Sequence, residues 1–188
     1  MGLWFAVLVP IHPNILSGEV ADAVRDSGTW RLTHAAMFVV GIAAMFAAAG
    51  TVAVHEPRFG RLGLVVLGVT IVSAFATAAT GSLEATVFPL LARTSPETIS
   101  YDGPLFTSPL FRALNGPWLL LPLDFAMLGL LARRAGDFVA PGTALAATGV
   151  LFFAFGMWFV PLIGPASAVA FGGALLWWGW VLWGAQSR

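Results

Sequence analysis

The chain has 188 residues, 59% of them apolar and 10% charged, where a soluble domain carries about 45–50% and about 25%, so an ordinary water-soluble globule is excluded. Nine basic residues, all arginine, balance nine acidic ones, and cysteine is absent. These counts exclude disulfides, thiolate metal sites and iron–sulfur clusters, and for want of lysine also a retinal or pyridoxal phosphate Schiff base, while the balanced charge offers nucleic acid no basic surface.

At about 20 residues per bilayer crossing, the apolar content is enough for five or six helices and little else. Hydropathy separates six segments, at residues 3–16, 30–54, 62–83, 113–132, 139–160 and 165–184. The fold expected is an all-α integral membrane protein, a bundle of six transmembrane helices forming one domain over residues 1–188 without a soluble part. The use of arginine alone with abundant Ala, Gly and Val fits a GC-rich bacterial genome.

The first span is short and broken by Pro10 and Pro13, which cannot donate backbone hydrogen bonds and leave the carbonyls of Ala6 and Val9 without helical partners. A broken helix end inside a bilayer is tolerated where it lines a cavity or binds something. His12 stands between the two prolines, about 6 Å below one membrane surface at 1.5 Å per residue. His34, four residues into the second span, shares that depth. On the same span Ala36, Ala43, Ala47 and Gly50 recur at helix-packing intervals, and the span ends in His55 beside Glu56.

Along the third span Thr70, Ser73, Thr77, Thr80 and Glu84 fall three or four residues apart, on one helical face, with Glu84 at the span's end in the layer of the two histidines. The stripe reads either as a hydrated path for protons or small polar solutes, together with Asp124, or as hydroxyls bonding back to their own helix along a packing seam. The loop over residues 92–111 carries Pro96, Asp102-Gly103-Pro104 and Pro109 and reads as an ordered, turn-rich lid. Asp124, about eleven residues into the fourth span, has no basic residue within its own span and must be neutral, paired across helices or wet. Met157 on the fifth span reads as filler or an axial ligand. Trp177, Trp180 and Trp183 on the sixth span read as an interface belt or a stacking surface.

Arg58, Arg61, Arg133, Arg134 and Arg188 gather at one end of the six-span arrangement, and Arg25, Arg31, Arg93 and Arg112 at the other among five acidic residues. The positive-inside rule then favours a plasma-membrane protein with both termini cytoplasmic and the His12, His34 and Glu84 layer extracytoplasmic. Trp4 falls near the inner end on that reading.

Intramembrane ionisable groups are costly, so each one carries a functional expectation. Two imidazoles and a carboxylate at one depth are a ligand set for a divalent metal ion, and the two imidazoles alone would ligate haem b, for electron transfer or redox work. The bland alternative is hydrogen bonding to neighbouring helices or interfacial water. Two other classes stand beside the cofactor protein: a small-solute or proton-coupled transporter using Glu84 and Asp124, and a non-catalytic subunit or scaffold of a larger membrane complex. The expected partners are the lipid bilayer and a homo-oligomer or such a complex. Nucleotide loops, GxSxG and HExxH are absent from the sequence, so phosphotransfer, serine hydrolysis and zincin proteolysis lack their signatures.

Overall fold

The computed structural model describes residues 1–15, 19–136 and 138–186, and its regular structure is helical throughout those residues. The chain opens on a helical segment over residues 2–11, α1, with a π turn at Trp4–Leu8 and a 3-10 turn at Val9–Ile11. A short helix α2 (Val20–Val24) precedes α3 (Gly28–His55) and α4 (Pro57–Thr94). A 3-10 turn at Pro96–Ile99 and a one-turn helix α5 (Pro104–Thr107) lead into α6 (Pro109–Arg134), α7 (Val139–Gly156) and α8 (Ile163–Ala185).

Five of these helices, α3, α4, α6, α7 and α8, are long and apolar enough to cross a membrane. The sixth expected span is α1, whose ten residues reach about 15 Å, half of a hydrocarbon core of about 30 Å. Pro13 holds His12 extended (φ −61°, ψ 134°) and ends the segment there. Leu16 and Ser17 of the expected first span and loop, and Arg188, lie outside the described residues. At its other end α1 packs on α8, where a Cβ built on Gly172 would meet the Gly2 carbonyl oxygen at 2.5 Å and the Ala6 nitrogen at 2.7 Å. Phe5 anchors the segment in the bundle between Phe152 and Phe171, with ring centroids 5.1 and 4.8 Å away.

Helices α3 and α4 form a hairpin that turns at Gly60 (φ 53°, ψ −147°), a backbone conformation reserved for glycine. Ser27 caps α3, its hydroxyl accepting from the Trp30 N–H at 3.0 Å. The buried stripe of α3 runs through Met37, Val40, Ala44 and Ala48, so Ala36, Ala43, Ala47 and Gly50 lie half-buried beside it. The two helices touch most closely at Gly41, against the Ala74 oxygen, and at Gly81, where a Cβ would meet the Phe38 nitrogen at 2.6 Å and the His34 oxygen at 2.7 Å. Backbone atoms cannot step aside, so Gly81→Ala must separate the helices one turn below Glu84. It is expected to cost about 1–3 kcal/mol, read as a lowered unfolding midpoint in detergent.

Helix α4 does not stop at Leu83 but continues to Thr94, with Pro89 inside it, so Glu84 sits within the helix rather than at its end. The extra turns are held by a small cap in which Trp30, Phe88, Ala92 and Ile99 are buried with Val20 and Val24. Across the bundle α6 and α7 form a second tight pair, a Cβ on Gly129 or Gly142 meeting the other's carbonyl oxygen at 2.5 or 2.6 Å. Trp177, Trp180 and Trp183 are exposed on the surface, whereas Trp30 and Trp178 are buried.

A histidine pair and carboxylate as the candidate functional site

The end of α1, the first turns of α3 and the middle of α4 meet at one point. The His12 and His34 rings touch, with Nε2 to Nε2 at 3.3 Å and ring centroids 4.9 Å apart. Glu84 Oε2 lies 2.6 Å from His34 Nε2. His34 is 4% exposed and Glu84 half-buried. Trp30 packs over His34 at 4.1 Å and against His12 at 5.0 Å, while Phe159 covers His12 at 5.2 Å.

Hydrogen-bond accounting fixes which nitrogens carry protons. His12 Nδ1 lies 2.7 Å from the Pro13 oxygen and His34 Nδ1 lies 2.8 Å from the Trp30 oxygen. A carbonyl only accepts, so both Nδ1 atoms donate. In two neutral rings both Nε2 atoms then carry lone pairs, and these face each other beside a carboxylate oxygen. Three acceptors in a row need a positive charge among them. A proton between His34 Nε2 and Glu84 satisfies their 2.6 Å contact and leaves the His12 Nε2 lone pair, 3.3 Å from His34 Nε2, without a proton of its own.

The same second-nitrogen bonds to backbone carbonyls orient histidines that hold metals. Among the described residues no three His, Asp or Glu side chains form a ready-made metal cage. His12, His34 and Glu84 instead form a row with His34 Nε2 at its centre.

Other groups fix the row in place. The Trp30 indole N–H donates to the Glu84 carbonyl oxygen at 2.8 Å, tying α3 to α4. The Trp4 indole N–H donates to the Thr33 carbonyl at 2.8 Å, tying α1 to α3. Trp4 therefore sits at the level of this site and not at the far end of the bundle, because α1 starts halfway along α8. Burial first, and the Glu84 carboxylate second, raise the Tyr101 phenol in the loop after α4 above its usual range.

A cavity of about 70 Å³ opens beside the pair, bounded by His12, His34 and Thr33 on one side and by Phe5, Trp118 and Met157 among the apolar walls. A wider vestibule of about 220 Å³ adjoins it at His12 and Phe159. Phe159 has φ 50°, a left-handed conformation costly for an aromatic residue. Both π turns of the chain, Trp4–Leu8 and Phe152–Gly156, contribute to the walls of the smaller cavity.

The polar stripe of α4 is buried but does not converge on this site. The Thr70 and Thr77 hydroxyls bond back to the Val66 and Ser73 carbonyls, both at 2.8 Å, and Thr80 donates to Asn115 Oδ1 at 2.9 Å. Asp124 is 6% exposed within α6, faced from α4 by Ser73, yet Asp124 Oδ2 and Ser73 Oγ complete no hydrogen bond of good geometry. His55 packs among Phe59, Phe138 and Trp178 at the opposite end, its Nδ1 donating to the Thr51 carbonyl.

The residues that sequence reasoning missed are Trp4, Trp30 and Phe159, which pack or tie the histidines, and Thr33 in the cavity wall. No local pattern marks any of them. Comparison with known proteins gives no match: no family model, no curated protein and no solved structure matches the chain.

Proposed function

We propose that this multi-pass membrane protein binds one divalent transition-metal ion between His12, His34 and Glu84 and uses it for redox work or electron transfer. The observation that carries the reading is the row of two Nε2 atoms and a carboxylate oxygen in direct contact, with both Nδ1 atoms tied to backbone carbonyls. An Nε2 to Nε2 separation of 3.3 Å is close to the edge of a tetrahedron built on bonds of about 2.1 Å, which is about 3.4 Å long. The 2.6 Å contact of His34 with Glu84 is shorter than such an edge, so the ion would displace the shared proton and widen that contact by about 0.8 Å. Two histidines and one carboxylate leave coordination positions open, as in non-haem iron sites, and suit iron, copper or nickel for redox work, with zinc binding as a redox-inert competitor.

Haem b is the weaker form of this reading. Axial imidazoles bind on opposite faces of a macrocycle, whereas these rings touch edge to face at a centroid distance of 4.9 Å.

We assign the site to the extracytoplasmic leaflet of the plasma membrane, with the Arg58, Arg61, Arg133 and Arg134 end and the carboxy terminus cytoplasmic and α1 pointing its amino end that way. On this reading α1 counts as a sixth, half-length membrane element. A proton-coupled transporter using Glu84 and Asp124 ranks second, because the Thr70 and Thr77 hydroxyls are occupied by their own helix and offer no relay between the two carboxylates. A scaffold role, as a homo-oligomer or within a larger complex, has the exposed apolar helix faces as its support.

Chelator-stripped protein titrated anaerobically with Fe(II), Co(II), Ni(II), Cu(II) or Zn(II) is expected to take up one equivalent of at least one ion, with affinity falling in acid as protons reclaim the ligands. Incubation with haemin is expected to give no Soret band that depends on His34. Absence of any stoichiometric ion, or uptake by a His12→Ala, His34→Ala double variant equal to that of the natural chain, would overturn the reading.

A further inference from the structure

The cavity beside the histidines has a size and polarity of its own. Its volume is about 70 Å³, and an apolar cavity of about 150 Å³ takes benzene, so in proportion this one takes about three heavy atoms. Most of its wall is aromatic, aliphatic or methionine, including Trp4, Phe5, Met37 and Phe152. His12, Thr33, His34 and Thr77 are its polar lining, and of these Thr33, 1% exposed, has a hydroxyl that completes no hydrogen bond, whereas the Thr77 hydroxyl is spent on the Ser73 carbonyl. An unbonded buried hydroxyl is destabilising, whereas most threonines buried in these helices bond back to their own carbonyls.

The cavity also has an approach. The vestibule of about 220 Å³ shares His12, Val9, Gly156 and Phe159 with it. A molecule arriving there reaches the inner cavity by passing the His12 and Phe159 rings, where the Phe159 backbone is held in its left-handed conformation.

We propose that this cavity binds a small neutral molecule of about three heavy atoms, apolar at one end and carrying one oxygen acceptor for the Thr33 hydroxyl at the other. Charged molecules are excluded because no charged side chain lies in the wall apart from the histidines. The proposal deepens the metal reading: it rests on that reading for what the bound molecule does, next to the open positions of the ion, and not for the binding itself.

Binding is tested on crystals of the full chain grown with chelator, so that no ion contributes. Xenon pressurisation probes the volume, and anomalous diffraction is expected to show one xenon site between Phe5, Met37 and Phe152. Thr33→Leu fills the cavity and is expected to lose that site, whereas Thr33→Val keeps shape and should retain it. Ethanol, three heavy atoms with one oxygen, is the polar probe. It is expected to displace xenon from the natural chain at a concentration about fivefold lower than from Thr33→Val, the net effect of one neutral hydrogen bond. No xenon site in the natural chain, or one that persists in Thr33→Leu, would overturn the cavity; equal displacement in the natural chain and Thr33→Val would overturn the polar end. Since the crystals hold no metal, loss of metal binding leaves these outcomes unmoved, and a chain that binds metal but not xenon overturns only the cavity proposal.

Discussion

Replacing His34 by alanine is expected to weaken divalent-metal binding by at least about a hundredfold, since even partners one bond removed from a metal change affinity by about 10–100-fold. His34 is the centre of the row: its Nε2 lies 3.3 Å from His12 and 2.6 Å from Glu84, so its removal leaves the remaining two candidate ligands without a shared neighbour. The backbone around it is secured by other contacts, namely the Ser27 cap, the Trp30 bond to Glu84 and the Trp4 bond to Thr33. Circular dichroism should therefore be unchanged while calorimetric titration with the ion that the natural chain takes up loses its heat. A variant that binds the ion as tightly as the natural chain would move the site elsewhere.

Trp30→Ala is expected to be the most destabilising single change near the site, at about 3–5 kcal/mol, as for other fully buried tryptophans cut to alanine. The ring is 1% exposed and packs against His34 and Phe88, and its N–H ties α3 to α4 through the Glu84 carbonyl. Trp30→Phe keeps much of the ring and loses the hydrogen bond, so its cost should be nearer 1 kcal/mol plus a small cavity term. Denaturant unfolding in detergent separates the two variants. A loss under 1 kcal/mol for alanine would mean that the cap of α2, α3 and α4 is not a packed unit.

The layer of His12, His34 and Glu84 was legible in the sequence because it follows from spacing. Prolines end α1 at His12, Ser27 starts α3 about two turns before His34, and a hairpin between α3 and α4 brings Glu84 back to the same depth. The length of α4 was not legible. The charge of Glu84 closes the apolar run read from hydropathy, but residues 85–92 are again largely apolar and helicity persists to Thr94, with Phe88 and Ala92 buried against Trp30 and Ile99. The half-length of α1 escaped for the opposite reason: its residues are apolar enough for lipid, and only the contact of Gly2 with Gly172 shows how deep they begin. Packing buries Trp30 and Trp178 while Trp177, Trp180 and Trp183 stay exposed, a distinction that residue type alone does not carry. The threonine face of α4 was visible from its period, while the direction of each hydroxyl, back to the helix for Thr70 and Thr77 and across to Asn115 for Thr80, depends on neighbours distant in sequence.

The most direct test of the metal site is a crystal structure of the full chain grown with Co(II), with diffraction recorded on both sides of the cobalt absorption edge. The account predicts one anomalous peak within about 2.0–2.3 Å of His12 Nε2, His34 Nε2 and a Glu84 oxygen, with the His34–Glu84 contact lengthened from 2.6 Å. A well-ordered structure from cobalt-saturated crystals in which His34 still hydrogen-bonds Glu84 at that distance, with no peak between the two histidines, would contradict it.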